Sequence, residues 1–65
     1  MNFIVNGQPC NCQAGNLSAL LQELDYGGAI VATAVNGDFV AEPDRETTEM
    51  KEGDKVEILA PMKGG

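Results

Sequence analysis

The segment "NLSALLQELDYGG" places Leu17, Leu20, Leu21 and Leu24 at i, i+3, i+4 and i+7, one face of a helix with 3.6 residues per turn. Asn16 stands where an N-cap belongs and Gly27 where a C′ glycine belongs. A lone helix must bury its apolar stripe against another element. With no second helix to pack on, the economical solution is one sheet with the helix laid across it.

The rest of the chain supplies short strands separated by turn residues. "MNFIV" is a β-rich run, Asn6-Gly7 is the strongest two-residue hairpin signal, and "QPCNCQ" follows as the second strand. After the helix, "AIVATAV" reads as a third strand, a second Asn-Gly at 36–37 as another hairpin, and "DFVA" as its returning strand. Pro43 stops that run. "PDRETTEM" is polar and irregular, with room for one helical turn, and "EGD" at Glu52 to Asp54 turns the chain into a last strand, "KVEILA". The order is ββαβββ, an α+β fold with a mixed sheet packed against one main helix. Placing the first strand beside the last gives the β-grasp arrangement, with residues 1–61 as the domain and 62–65 as a flexible Gly-Gly tail.

Alternation along the strands predicts which residues face the helix. Met1, Phe3 and Val5 share the inward face of the first strand, and Val56 and Ile58 that of the last. Asn2, Ile4 and Asn6 then point outward, as do Lys55, Glu57 and Leu59. If the two strands are neighbours, Ile4 and Leu59 lie close together on an otherwise polar face, near the start of the tail. They form a candidate partner-binding patch, although single exposed apolar residues are also ordinary.

Size and charge exclude several functions. A chain of 65 residues buries only about 60% of the surface its unfolded form exposes, so a fold and an enclosed substrate cleft compete for the same few side chains. A carrier or binding module fits better than an enzyme. Ten acidic against four basic residues give a net charge of −6, with no basic stretch to neutralise phosphates, so nucleic acid is not an expected partner. The acidic balance suits a protein partner with a basic docking face. No run of 18 apolar residues occurs, and "MNFIVNG" lacks the features of a signal peptide. A cytoplasmic protein with no membrane partner is expected.

Cys10 and Cys12 are too few for a disulfide framework, in agreement with a reducing compartment. At i and i+2 they share a face of a strand with Cα atoms about 6.6 Å apart, toward the long end of what a disulfide spans. With no histidine, they cannot complete a four-ligand zinc site within one chain. They read as small buried hydrophobes.

The end of the sequence, "PMKGG", is either a frayed glycine-rich end or the part that carries the chemistry. Two glycines at one given place have a chance probability of about 0.015 at this chain's own glycine content. Lacking Cβ atoms, Gly64 and Gly65 can pass a narrow channel and bring the backbone close to a catalytic centre. The reactive group is then the carboxylate of Gly65, an anion at neutral pH and a poor electrophile. Attack on the α-phosphate of ATP would activate it as an acyl-adenylate. The chain has no phosphate-binding loop, so it binds no cofactor itself and ATP belongs to a partner enzyme.

The opening "FIVNG", the helix "NLSALLQEL", the central "AVNGDFV", the strand "EGDKVEIL" and the terminal "GG", in that order and spacing, resemble the ubiquitin-like sulfur carriers. They resemble most closely the ThiS family of thiamine thiazole synthesis. The resemblance spans essentially the whole chain. It implies a ubiquitin-like β-grasp whose Gly65 carboxylate is adenylated by an E1-like adenylyltransferase, converted to a thiocarboxylate by a sulfur donor system, and used by thiazole synthase. Gly64 and Gly65 carry that role, and Ile4, Leu59, Met62 and Lys63 meet the partners. A molybdopterin-type or other sulfur carrier, a protein modifier that forms isopeptide bonds, and a plain interaction module remain as alternatives at this point.

Overall fold

The structure, a computed structural model, describes residues 1–27 and 29–60. The chain runs β1 (Asn2–Val5), β2 (Gln8–Asn11), α1 (Leu17–Glu23), β3 (Ala32–Val35), β4 (Asp38–Val40), a 3₁₀ helix (Glu42–Thr47) and β5 (Lys55–Leu59). The five strands form one sheet in the order β2-β1-β5-β3-β4. β1 and β5 pair in parallel, and the other pairs are antiparallel. This is the mixed sheet and single main helix of a ubiquitin-like β-grasp.

Both Asn-Gly pairs turn as their chemistry requires. Asn6 and Gly7 have φ of 51° and 81°, and Asn36 and Gly37 have 51° and 89°, the double left-handed conformation of a type I′ hairpin. The Asn16 side chain caps α1 by accepting from the Ala19 N–H at 2.7 Å. Its other end differs from the expectation: Asp25, not Gly27, is the C′ residue, at φ 71°. The Asp25 N–H donates to Gln22 O at 3.1 Å and the Tyr26 N–H to Leu21 O at 2.7 Å, the two bonds of a Schellman motif. Asp tolerates the left-handed region better than most residues, so the helix stops two residues before the position the Gly27 cap predicts.

Leu17, Leu20 and Leu21 are buried and Leu24 packs at the margin of the core, against Phe3, Val56 and Ile58 from the sheet. Val5 flanks the same core, but Met1 does not join it and stays 43% exposed. It precedes β1, and its ammonium donates instead to Cys12 O at 2.8 Å. Met50 is buried too, held where its N–H donates to Gly15 O at 3.0 Å and ties the region after the 3₁₀ helix to the start of α1. β3 is shorter than "AIVATAV" suggested. Its pairing with β5 begins at Ala32, opposite Leu59, so Ala29, Ile30 and Val31 lie outside the described strand.

Candidate functional site

The sheet face turned away from α1 is set by pairing register. Leu59 stands opposite Ala32, Glu57 opposite Ala34, and Ala34 in turn opposite Phe39. In β5 the exposure alternates without a break: Lys55, Glu57 and Leu59 are exposed, while Val56 and Ile58 are buried. Leu59 is 70% exposed, Phe39 72% and Ile30 84%, and Ile30 and Leu59 line one apolar depression with Ala32 and Ala60. The exposed apolar surface therefore lies at Ile30 just before β3, at Phe39 on β4 and at Leu59 on the end of β5.

Ile4 also faces outward, at 37% exposure, but it is not beside Leu59. The parallel register pairs Ile4 with Lys55, which leaves Leu59 four residues farther along β5, about 13 Å at strand rise. Ile4 instead lines a groove with Gly7, Asn36, Gly37 and Glu57 near the two hairpin turns. Adjacency of two strands does not specify their stagger, and in a parallel pair the stagger is set by the long connection. Phe39 and Ile30 are not among the residues expected to be exposed from the sequence pattern. For Phe39 a signal existed: once Val40 is assigned inward, opposite Thr33, its neighbour must face out.

Two asparagines hold β5 in place. β1 stops at Val5, yet the Asn6 side chain continues the pairing: the Ile58 N–H donates to Asn6 Oδ1 at 2.8 Å, and Asn6 Nδ2 donates to Ile58 O at 3.1 Å. Asn36 does the same at the start of the strand, where its Oδ1 accepts from the Lys55 N–H at 3.0 Å and its Nδ2 donates to Asp54 Oδ1 at 3.0 Å. Each asparagine thus makes its own hairpin turn and grips the strand that leads to the chain's last residues. A further support comes from Arg45, whose Nη2 donates to Val31 O at 2.6 Å and whose Nε donates to Thr33 Oγ1 at 3.1 Å. These bonds fasten the 3₁₀ helix to β3.

Met62, Lys63, Gly64 and Gly65, the expected tail and reactive carboxylate, lie outside the described residues, as does the boundary expected at residue 61. Among the described residues, no group of three or more His, Cys, Asp and Glu side chains is placed to hold a metal ion. No helix among them is long and apolar enough to cross a membrane.

The model of the ThiS family matches residues 3–65. The chain belongs to the ThiS family. It is therefore a small sulfur carrier rather than a catalyst. A crystal structure of the thiamine biosynthesis protein ThiS from Geobacter metallireducens superposes with a TM-score of 0.82 at 36% identity, covering all of both chains. A solution structure of a Geobacter metallireducens thiamine biosynthesis protein gives 0.81 at 33% identity, covering all of this chain and 88% of that one. The uncharacterized protein ycf40 of Porphyra purpurea is 34% identical over 62 residues, 94% of this chain and 87% of its own length. The membership fixes the class of partner in general terms: a carrier of this family meets an activating enzyme and a sulfur acceptor.

Proposed function

We propose that the Gly65 carboxylate is adenylated in the active site of an E1-like adenylyltransferase and converted to a thiocarboxylate that delivers sulfur to the thiazole ring of thiamine. The observation that carries this reading is the ThiS family match running through residue 65 and so including Gly64 and Gly65. The Geobacter metallireducens relatives support thiamine as the pathway. The reaction needs no cofactor on this chain. A Gly65 oxygen attacks the α-phosphate of ATP held by the partner, and pyrophosphate leaves. A sulfur nucleophile at the sulfide level, from a sulfur donor system, then attacks the acyl carbon and AMP leaves.

The fold's part is presentation. β5 is gripped by Asn6 and Asn36, and Leu59 sits on the last step of the strand. The outward face with Leu59 at one end and Ile4 at the other docks on the activating enzyme and later on thiazole synthase, while Met62, Lys63 and the two glycines enter the partner's channel. Glycine suits that channel because no Cβ obstructs close approach of the backbone. Such work is cytoplasmic, where ATP and reduced sulfur are both present.

The test is intact-protein mass spectrometry after incubation with an E1-like enzyme, ATP and sulfide, beside a chain lacking Gly65. A mass gain equal to sulfur replacing one oxygen, found in the full chain alone, is expected. No gain with a partner that thiolates a known carrier under the same conditions would defeat the reading.

A further inference from the structure

The steps proposed for Gly65 do not use Cys10 or Cys12, yet the structure brings the two into contact. Cys10 stands on β2 opposite Phe3, half-buried at the margin of the core, and Cys12, one residue past the strand, is buried within it. Strand spacing alone holds i and i+2 apart, but the chain leaves β2 after Asn11. The Cys12 backbone is then pinned to the first residue from both sides: its N–H donates to Met1 O at 2.9 Å and its carbonyl accepts from the Met1 ammonium at 2.8 Å. From there the two side chains converge, with their Sγ atoms 3.2 Å apart. A disulfide bond is about 2.05 Å long, so bridging the pair asks for an approach of roughly 1 Å.

We propose that Cys10 and Cys12 are a dithiol modification site, which a low-molecular-weight disulfide such as glutathione disulfide closes into an intramolecular Cys10–Cys12 bond, with Cys10 as the entry thiol. Burial sets the order, because an oxidant arriving from solvent reaches the half-buried sulfur and not the one beneath it. The Cys10 thiolate attacks one sulfur of the oxidant, the oxidant's S–S bond breaks and one thiolate leaves. The Cys12 sulfur, losing its proton, then attacks Cys10 Sγ, and the second thiolate departs. Overall the two protein thiols lose two electrons and two protons, and the oxidant gains them as two free thiols.

The second step is the one that geometry favours. Burial first, then the Cys10 sulfur and the Glu23 carboxylate, push the Cys12 thiol up to about 12, so Cys12 is a poor nucleophile toward anything in solution. Against a mixed disulfide on Cys10 it is already in contact, and the reaction is intramolecular. The site therefore passes over single capping and ends as the internal bond.

The reduced full chain, incubated with glutathione disulfide at mildly alkaline pH and read by intact mass, tests this. A loss of two hydrogens, reversed by a reductant, is expected, with the Cys10→Ser chain left unmodified because its remaining thiol is buried. A native chain that stays unmodified, or that keeps a glutathionyl group on Cys10, would overturn the proposal. Glutathionylation of Cys12 in the folded Cys10→Ser chain would overturn the assigned entry thiol. The readout is independent of Gly65, so it stands or falls apart from the carrier function.

Discussion

Asn6 shows how much one side chain can carry. Its φ of 51° makes the hairpin turn, and its amide bonds both the N–H and the carbonyl of Ile58, one step beyond the place where β1 can pair. Replacing it with glycine separates the two roles, since glycine adopts the left-handed turn at no steric cost but offers no amide. Asn6→Gly is expected to keep the fold and lose about 1–2 kcal/mol of stability, the net worth of two partly buried hydrogen bonds. Amide exchange at Ile58 should quicken more than at Thr33 or Val56, and thiocarboxylate formation should slow through a higher KM, because the strand end is less well held. Unchanged exchange at Ile58 would show that the amide does not grip β5. The Asn-Gly turn itself was legible from two letters. The second role was not, because it depends on a strand 52 residues away.

At the scale of the element, β5 separates stability from docking by parity alone. Val56 and Ile58 are buried and their neighbours exposed, so adjacent substitutions should report on different things. Ile58→Ala removes core volume and is expected to cost about 2–5 kcal/mol in urea unfolding. Leu59→Asp should change stability by less than about 0.5 kcal/mol and instead weaken binding to the activating enzyme, measured by titration calorimetry, by tenfold or more. A melted Leu59→Asp chain would place Leu59 in the core; undiminished binding would move the docking face elsewhere. The alternation in "KVEIL" made this parity readable, as the leucine spacing did for α1. Helix termination is less legible: Gly27 fits the pattern of a C′ glycine, but the backbone at Asp25 and Tyr26 closes the Schellman bonds first.

At the scale of the whole molecule, the core is small enough for one buried thiol to influence global stability. Cys12 is raised from an ordinary value of 9.0 to about 12, chiefly by burial. Above pH 9 the unfolded chain therefore releases a proton that the folded chain keeps. The unfolded state then binds fewer protons, and stability falls as pH rises through the window from 9 to 12. A single thiol can add at most about 1.4 kcal/mol per pH unit to that slope. Chemical denaturation across the window should be steeper with pH for the native chain than for Cys12→Ala; equal slopes would mean that the thiol ionises alike in both states.

What the sequence determined by itself is what local chemistry enforces: a 3.6-residue leucine repeat, two Asn-Gly turns and alternating strands. These follow from backbone sterics and from the separation of apolar and polar side chains within a few residues of one another. Only the tertiary structure decided the stagger of β1 on β5, which parts Ile4 from Leu59 and gathers Leu59 with Ile30 and Ala32. It also decided the Asn6 and Asn36 grips on β5, and the meeting of Cys10 with Cys12. The first two join segments far apart in the chain, and the third depends on where Met1 pins the backbone. Their geometry is set by how the helix and sheet close over a shared core, which no local window of sequence contains.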